Sequence, residues 1–499
     1  MKILFISIHQ QDIGECKRAP TDISGTGARY LSSYLKDKGH KTNILFLAKS
    51  YAREENEKEL KQINDLISKL KPDLIGFSFM SVHFFRAKKI TKAIKREFNI
   101  PIIWGGIHST IKPADCLDYA DIVCVGEGEL ALEQLVDSRL VKKNNDLDIQ
   151  GLWYKKNGQV IDKGAAPLLE NIDNLPYPDY DLEDHYIIHE HRLVPLTEEI
   201  LVQYYPASKG DHRLTASRGC PHACAYCCNS AYRIMYKGAH FRRRAVEGLI
   251  DEMLTIKNQF SFVKSFKIMD DVFTANSANW LRDFGRRYKE KINLPFYCLV
   301  SPLTIDGEKL KILVDAGLNI VQMGLQSGSD RISKDIYLRN VTSQRFLEAM
   351  QLLESYGDKL KILLDVIVDN PYEKEEDVLD SIKTLNQLKK GFNLGVYSLA
   401  FYPGTILYER AVKEKILSDS EEYLSKEFHV FKHNYLNKLI YLIPRLRAER
   451  VEKFINKRQN LFVKLYLELL FFIYIRKNKI PVWLLRVLSK LKRIFKKIL

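Results

Sequence analysis

The feature that most restricts the fold of this 499-residue chain is a repeated alternation of apolar strand-like runs with helical segments. The pattern covers residues 1–135 and returns, in about six units, over residues 213–410. A helix between two strands brings the second strand back parallel to the first, so the pattern favours parallel sheets. Ligands of such sheets bind beyond the carboxyl ends of the strands. The sequence therefore predicts two α/β domains whose binding residues follow the strands.

The first block predicts an open, Rossmann-like parallel sheet. Its strands are predicted at Lys2–Ile8, Lys41–Phe46, Leu74–Phe79, Ile100–Trp104 and Ile122–Val125. Its helices are predicted near Gly27–Lys38, Glu55–Leu70, Phe84–Phe98 and Glu129–Val136. The last three strands are followed by polar or glycine-rich motifs, namely Ser78 with Ser81, Gly105-Gly106-Ile107-His108 and Gly126-Glu127-Gly128-Glu129. Paired glycines at a strand end allow a bulky ligand to approach the backbone closely.

The second block predicts six strand–helix units. Its strands are predicted at Leu214–Ser217, Ser265–Met269, Phe296–Val300, Ile320–Gly324, Lys361–Val368 and Gly395–Ala400. Its helices are predicted near Ala245–Asn258, Ala278–Lys289, Asp306–Ala316, Ser343–Tyr356 and Glu373–Lys389. The second, fourth and sixth strands lead into polar motifs, namely Asp270-Asp271-Val272-Phe273-Thr274, Gly324-Leu325-Gln326-Ser327-Gly328-Ser329 and Tyr402-Pro403-Gly404-Thr405.

The loop between Ser217 and Cys228 carries three cysteines in the spacing C-x3-C-x2-C, at Cys220, Cys224 and Cys227. Cysteine thiolates hold iron–sulfur clusters, and a [4Fe–4S] cube normally takes four of them. Three thiolates on one loop would leave the fourth iron open to another ligand. A zinc knuckle is the alternative, although zinc sites usually combine two C-x2–4-C pairs or a Cys/His set, and no second pair follows here. We do not expect the adjacent Cys228 to be a ligand.

This loop, with Tyr226 before the third cysteine, resembles the cluster loop of the radical S-adenosylmethionine (SAM) enzymes. The resemblance implies a partial (β/α)6 barrel in which the three cysteines ligate a [4Fe–4S] cluster. SAM would chelate the open iron, and an electron from the cluster would cleave it to a 5′-deoxyadenosyl radical. The SAM contacts that the resemblance implies are Tyr226, Asp270, Asp271, Gln326 and Ser327.

Two positions depart from the pattern of that family. Gln326 stands where a glutamate is usual, and Tyr372 stands where a glycine is usual. The substitution at Gln326 keeps a hydrogen bond but loses a charge. For Asp270 and Asp271, a pair of helix N-cap residues is the structural alternative to SAM binding.

The Gly-Gly-x-His and Gly-Glu-Gly-Glu motifs of the first block resemble the cobalamin-binding domain of one radical SAM class. The D-x-H-x-x-G signature, whose histidine ligates cobalt in other cobalamin proteins, is absent, so we expect no histidine ligand on the lower face. We expect His108 to act in packing or hydrogen bonding. A degenerate domain that binds no corrinoid is the alternative. The cobalamin contacts that the resemblance implies are Ser78, Gly105, Gly106, His108, Gly126, Glu127 and Gly128.

Charge and composition suggest how the chain is divided. Val430–Leu499 holds 18 Lys and Arg but three acidic residues, whereas the whole chain has a net charge of +15. The rest of the chain is therefore close to neutral, which fits a membrane surface better than nucleic acid as the partner of the tail.

We predict a cobalamin-binding-like domain at 1–136, a linker with an Asn157-Gly158 hairpin at 137–212, the barrel at 213–410 and a basic helical extension at 411–499.

The extension contains two apolar segments. Leu461–Ile475 is interrupted by Lys464 and Glu468 and is too short to span a bilayer. After Pro481 the sequence predicts an amphipathic helix with no acidic residue. Such a helix can lie in the interface of an anionic membrane, or it can pack its apolar stripe on the barrel.

Together the resemblances imply cobalamin-dependent C-methylation of an unactivated carbon, in which one SAM gives the radical and another remethylates the cobalt. A rearrangement, cyclisation or oxidation without methyl transfer is the first alternative, and a corrinoid- or redox-sensing binding protein is a remote one. We expect a small-molecule or lipid substrate, an electron donor such as flavodoxin or ferredoxin, and no nucleic acid. Cluster chemistry needs reduced thiols, so we expect the cytoplasm, with peripheral membrane contact through the tail. Tyr226, Tyr297 and Tyr402 are general-base candidates by position alone.

Overall fold

In the computed structural model we describe residues 1–9, 23, 25–48, 57–138, 147–204, 210–238, 241–417 and 430–476. These residues form two compact units. Unit 1 contains the described residues up to Phe296 together with 401–417. Unit 2 contains Tyr297–Ala400 and residues 430–476.

Unit 1 is built on a nine-stranded sheet in the order β7-β6-β5-β4-β3-β1-β2-β8-β9. The strands are β1 Lys2–Ile8, β2 Lys41–Leu47, β3 Leu74–Ser78, β4 Ile102–Gly105, β5 Ile122–Cys124, β6 Leu152–Lys156, β7 Gln159–Ile161, β8 His185–His189 and β9 Arg192–Pro195. The helices among the first five strands, and after the fifth, are α1 Thr26–Asp37, α2 Glu57–Leu70, α3 Phe84–Glu97, α4 Ile107–Ile111, α5 Pro113–Cys116 and α6 Gly128–Asp137. All five strands and four helices predicted for this block are present, with ends that differ by a few residues.

The central strands β5-β4-β3-β1-β2 are all parallel. Their apolar residues, among them Leu4, Leu45, Ile75 and Trp104, are buried in one core. The direction of the crossovers reverses between β1 and β3, and in such sheets a ligand crevice opens at this point, beyond the carboxyl ends of the strands. The motifs predicted to bind cofactor follow β3, β4 and β5, so they lie at this end.

The sheet is wider than the parallel sheet that the sequence predicts. The hairpin β6–β7, with its predicted turn at Asn157-Gly158, pairs antiparallel with β5. On the other side β8 pairs parallel with β2, and β9 pairs antiparallel with β8. Unpaired edge strands expose backbone N–H and C=O groups. Strand β6 pairs with these groups on β5, and β8 pairs with them on β2. A pattern of strand–helix units does not reveal such additions.

The remaining strands run through both units. They are β10 Asp211–Leu214, β11 Ser217–Arg218, β12 Arg242–Arg243, β13 Ser265–Ile268, β14 Phe296–Val300, β15 Leu318–Gln326, β16 Lys361–Val368 and β17 Asn393–Ser398. The helices are α7 Glu198–Leu201, α8 Cys228–Met235, α9 Val246–Gln259, α10 Ala278–Arg287, α11 Gly307–Ala316, α12 Ser343–Glu354, α13 Glu375–Asn386, α14 Ile406–Lys413, α15 Tyr435–Leu442, α16 Ala448–Asn456 and α17 Leu461–Arg476. In unit 1, β10 pairs parallel with β13, and in unit 2, β15, β16 and β17 pair parallel in chain order. Both follow the strand order predicted for the partial (β/α)6 barrel.

The prediction of the first barrel strand at Leu214–Ser217 is wrong. The strand is Asp211–Leu214, which pairs parallel with β13. Ser217-Arg218 instead pairs antiparallel with Arg242-Arg243. The backbone N–H groups of Ala216 and Ser217 donate to the Asp270 carboxylate, so a side chain from a distant position ends the ladder.

The described end of the chain is helical, as predicted for the extension, and α17 covers the apolar segment 461–475. Within the described residues, no helix combines the length and apolarity needed to cross a membrane. The amphipathic helix predicted after Pro481 lies outside the described residues.

Candidate active site

The three predicted cluster ligands lie on one loop of unit 1, between β11 and α8. Cys220 is buried, while Cys224 and Cys227 are partly exposed, and none of the three forms a disulfide. The Cys227 N–H donates to the Cys224 carbonyl at 3.0 Å, which closes the loop into a turn. Cys227 is also the N-cap of α8, and the positive end of a helix favours a thiolate there.

The electrostatics of the loop depend on its burial. Burial, together with the negative charges of the neighbouring Asp271, Cys227 and Cys224, raises the pKa of Cys220 to about 12. A hydrogen bond from Cys228 lowers the pKa of Cys227. Three interacting thiols on one loop fit an iron–sulfur cluster, whose irons replace the protons and balance the thiolate charge. Within the described residues, no three His, Cys, Asp or Glu side chains lie close enough to share a single metal ion.

Asn229, which the sequence analysis did not identify, connects this loop to the second barrel motif. Its side-chain amide lies 3.6 Å from Cys227 Sγ and donates to Asp271 Oδ2 at 3.1 Å. Asn229 thereby connects Asp271 to Cys227, one of the predicted cluster ligands. An amide so close to a cluster ligand has no sequence signature, because α8 brings it there.

Asp270 is buried and fixes the start of the cysteine loop. Its Oδ1 accepts from the Ala216 N–H at 2.6 Å, and its Oδ2 accepts from the Ser217 hydroxyl at 2.6 Å. Burial raises the pKa of Asp270 to about 6. The helix N-cap alternative is wrong for both aspartates, because Ser277 caps α10. The role of Asp270 and Asp271 in SAM binding stays a prediction.

One cavity of about 340 Å³ in unit 1 is lined by the strand-end motifs and by the cysteine loop together. Six of the seven residues predicted to contact cobalamin line it: Ser78, Gly105, Gly106, Gly126, Glu127 and Gly128. Arg218, Gly219 and Asn229 contribute the side that belongs to the loop. Two residues of α8, Tyr232 and Tyr236, also line the cavity.

Glycine backbone forms much of the cavity wall. Gly106 has φ +91°, and a Cβ there would lie 2.7 Å from the Phe79 carbonyl oxygen. At Gly105, in contrast, a Cβ would meet no atom closer than 3.7 Å, so its absence leaves free space beside the backbone. A side chain at Gly105 would fill this space, so the glycine leaves the backbone accessible to a bulky ligand.

His108 does not line the cavity. It is buried, its Nδ1 lies 3.1 Å from Ser81 Oγ, and its ring packs on Phe84 at 4.7 Å between centroids. Burial lowers the pKa of His108 to about 4, so the ring is neutral at pH 7. The residue therefore takes the packing and hydrogen-bonding position that its sequence context suggests. Among the described residues that line the cavity there is no histidine.

The Gly-Glu-Gly-Glu motif holds the cysteine loop through ion pairs. Arg218 contacts Glu129 at 2.7 Å and Glu127 at 3.3 Å. Arg242 makes two bonds to Glu127, at 2.7 and 2.9 Å. Two carboxylates thus balance the positive charge of Arg218 beside the cysteine loop.

In unit 2, Gln326 and Ser327 end β15 at an irregular point of the strand. Gln326 has φ +66° and follows a register shift after Gly324. A Cβ on Gly324 would overlap the Gln326 side chain. Ser327 is buried, and its hydroxyl lies 3.5 Å from Glu373 Oε1. Burial raises the pKa of Glu373 to about 8.

The three tyrosines proposed by position differ in their surroundings. Tyr226 is partly buried on the cysteine loop. Burial raises the pKa of Tyr402 to about 12, and Cys228 adds to this effect. The Tyr297 hydroxyl donates to the Gln322 side chain. A raised phenol pKa is unfavourable to a tyrosinate base at neutral pH.

Comparisons with known proteins assign two families to these parts of the chain. The chain matches the B12 binding domain family over residues 16–136 and the radical SAM superfamily over residues 214–385. It is 28% identical over 362 residues to the "Uncharacterized methyltransferase PH0819" of Pyrococcus horikoshii. The alignment covers 71% of this chain and 72% of that protein.

Two solved structures share the fold. The radical SAM methyltransferase TsrM from Kitasatospora setae, with cobalamin and a [4Fe–4S] cluster bound, has a TM-score of 0.61 and 17% identity, covering 83% of this chain and 75% of that one. The cobalamin-dependent radical enzyme OxsB, with aqua-cobalamin bound, has a TM-score of 0.64 and 16% identity, covering 99% and 75%.

The B12 binding domain match includes the strand-end motifs that line the cavity, and the radical SAM match includes the three-cysteine loop. Cobalamin, SAM and a [4Fe–4S] cluster are the cofactors of this combination of domains. The chain is a radical SAM enzyme with an N-terminal cobalamin-binding domain.

Proposed function

We propose that this enzyme methylates an unactivated carbon of a small-molecule or lipid substrate. When bound, the cluster and SAM supply a carbon radical and cobalamin supplies a methyl group. The observation that carries the proposal is the single cavity of unit 1, which the cobalamin-type motifs and the cluster loop line together. A methyl donor held there would lie next to the site where the radical forms. The names of relatives that are methyltransferases support the same reaction class.

The residues would act by binding and orienting. We assign the cluster to Cys220, Cys224 and Cys227, with the Asn229 amide beside Cys227 Sγ. We assign SAM to Tyr226, Asp270, Asp271, Gln326 and Ser327. We assign cobalamin to the six predicted residues that line the cavity, and His108 to a supporting position behind it. The ion pairs of Arg218 would hold the loop against the strand ends and exclude water from this side.

The wider setting of the enzyme is also a proposal. We propose the domain boundaries 1–136, 137–212, 213–410 and 411–499, and an electron donor of the flavodoxin or ferredoxin type. We propose a cytoplasmic protein that contacts the inner face of the membrane through its basic tail and binds no nucleic acid. Three exposed apolar side chains on α17 support membrane contact: Leu461, Phe462 and Leu465.

The test is product analysis on protein purified and reconstituted anaerobically with iron, sulfide and hydroxocobalamin. With a reductant, methyl-labelled SAM and an extract of the source cells, we expect 5′-deoxyadenosine, S-adenosylhomocysteine and a labelled product. Replacing Cys220, Cys224 and Cys227 by alanine should abolish 5′-deoxyadenosine formation, whereas Cys228→Ala is the matched control and should retain it.

Two other outcomes contradict methyl transfer. Formation of 5′-deoxyadenosine and methionine without S-adenosylhomocysteine indicates a rearrangement, cyclisation or oxidation. Corrinoid binding without SAM cleavage indicates a sensing protein.

A further inference from the structure

Three polar side chains on successive strands of unit 2 form one hydrogen-bonded chain. The Tyr297 hydroxyl on β14 donates to the Gln322 side-chain carbonyl on β15. The Gln322 amide donates in turn to Asp365 Oδ2 on β16. A primary amide has one carbonyl and one NH₂ group, so the bond from Tyr297 directs the NH₂ group of Gln322 toward Asp365. The orientation of the Asp365 carboxylate is thus fixed from two strands away.

This chain lies on the inner face of the barrel strands. Along β16, Leu363, Asp365 and Ile367 are partly exposed, and they alternate with four buried apolar residues: Ile362, Leu364, Val366 and Val368. Successive side chains of a strand point to opposite faces. Helices cover the outer face of a βα barrel, so the buried set faces the helices and Asp365 faces the interior.

The surroundings of Asp365 leave one carboxylate oxygen unused. Its register neighbours on both adjacent strands are glycines, Gly324 on β15 and Gly395 on β17. A Cβ on Gly395 would lie 2.9 Å from Asp365 Oδ1, so a larger residue there would crowd this oxygen. Within the described part of the chain, Oδ2 accepts the Gln322 bond, while Oδ1 accepts no hydrogen bond.

We propose that Asp365 anchors the substrate, through a hydrogen bond from a substrate hydroxyl or amino group to Oδ1. The proposal rests on the proposed function and adds a chemical requirement on the substrate. Barrel interiors are normally filled by branched apolar side chains. A carboxylate in this layer is therefore unusual, and because Asp365 is only partly buried, its Oδ1 can accept a hydrogen bond from a ligand that enters the interior. Asp365 lies three residues before the end of β16, about 10 Å below it.

The competing explanation is structural. The Tyr297–Gln322–Asp365 chain could serve only to fix the register of three strands. In that case Asp365→Asn would change the free energy of unfolding without affecting any substrate selectively. An anchoring role instead requires that the folded variant forms less 5′-deoxyadenosine when substrate is present.

The experiment compares wild-type enzyme, Asp365→Asn and the exposed control Asp358→Asn, all reconstituted anaerobically. The probe is a deproteinised extract of the source cells, and the readout is the 5′-deoxyadenosine formed above the rate without extract. For Asp365→Asn we expect the response per amount of extract to fall by about tenfold or more, because hydrogen bonds to charged groups contribute about 1.5–3 kcal/mol. Asp365→Asn should still unfold cooperatively on heating, which shows that it is folded, and Asp358→Asn should match wild-type enzyme in every property.

A second arm tests the chemical class. Acetylation of the extract blocks hydroxyl and amino groups, so wild-type enzyme should lose its response and become equal to Asp365→Asn. The proposal would be overturned if Asp365→Asn responded to the extract as wild-type enzyme does, or if wild-type enzyme responded equally to the acetylated extract. A loss of stability in Asp365→Asn without any loss of response would also overturn it. Because the readout does not need methyl transfer, the absence of a labelled product contradicts the proposed methylation but still leaves this test valid.

Discussion

At the scale of single residues, the Asn229 amide has the most direct influence on the proposed cluster, because it lies 3.6 Å from the sulfur of Cys227. N–H groups near cluster sulfurs stabilise the more negative, reduced state and raise the reduction potential. The same amide binds Asp271, so it cannot rotate freely away from the sulfur. The loop and the first turn of α8 therefore carry both the predicted ligands and a group that would adjust their chemistry.

We predict that Asn229→Leu lowers the reduction potential of the cluster. The loss of one hydrogen bond of about 1 kcal/mol corresponds to roughly 40 mV for one electron. The measurement is a redox titration followed by electron paramagnetic resonance of the reconstituted protein. Asn279→Leu, an exposed position on α10, is the control. An unchanged or higher potential in Asn229→Leu would contradict the assignment.

The residues show where sequence reasoning succeeds and where it stops. The cysteine spacing and the paired glycines are local patterns, and local chain geometry is enough to place them on one loop and at strand ends. Asn229, Arg242 and Asp365 have no such pattern, because the carboxylate or amide that each one bonds across the fold lies 42 or more residues away along the chain. The first barrel strand was misplaced for the same reason, since Asp270 ends it from 54 residues away.

At the scale of elements, the ion pairs between the Gly-Glu-Gly-Glu motif and the cysteine loop connect the end of β5 to β11 and β12. Glu127 serves two arginines, Arg218 and Arg242, and is largely shielded from solvent. Both arginines lower the pKa of Glu127, which keeps it ionised. Removal of this carboxylate would leave the positive charges of Arg218 and Arg242 only partly balanced.

We predict that Glu127→Gln weakens both the fold and cobalamin binding. Breaking a partly buried ion pair on one side should reduce the free energy of unfolding by about 2 kcal/mol. Denaturant titration measures this loss, and absorbance titration with hydroxocobalamin measures affinity. Asp315→Asn, which removes an exposed helical pair with Lys311, is the control and should change neither quantity. Wild-type affinity in Glu127→Gln would show that the ion pairs do not support the cavity.

Helix α17 presents another element-scale feature, an apolar face open to solvent. Leu461, Phe462 and Leu465 are 66%, 55% and 47% exposed. The basic, apolar sequence 477–499 follows directly. Apolar side chains next to clustered lysines and arginines match an anionic membrane surface.

We predict that the full-length protein floats with vesicles containing phosphatidylglycerol but not with pure phosphatidylcholine, and that high salt weakens the association. Leu461→Glu combined with Leu465→Glu should reduce flotation, whereas Leu303→Glu, an exposed apolar position in a loop of the same unit, should not. Equal flotation of all three proteins would exclude α17 as the contact.

At the scale of the whole molecule, buried histidines make unit 1 sensitive to acid. His83, His108 and His185 are each at most 4% exposed, and each has a ring nitrogen without a hydrogen-bond partner. Burial lowers the pKa of His83 to about 4 and that of His185 to about 2. In the unfolded chain a histidine has a pKa of about 6.5, so the unfolded state binds protons that the folded state rejects.

We predict that the stability of unit 1 is fully present above pH 6.5 and is lost as the pH falls toward 4. The expected loss for one such histidine at pH 4 is about 3 kcal/mol. Denaturant titrations between pH 4 and 8 measure the free energy of unfolding at each pH. His185→Phe should reduce the slope of this free energy against pH. A slope that is the same in the variant, or stability that increases on acidification, would contradict the burial of a neutral ring.

The width of the first sheet has a practical consequence for anyone who dissects this enzyme. Four of its nine strands, β6 to β9, come from residues 152–195. A fragment that stops near Asp137 would end with bare backbone along β2 and β5, and such edges recruit neighbouring chains. Isolated cobalamin-binding fragments should therefore extend past Pro195; shorter ones are expected to precipitate during expression.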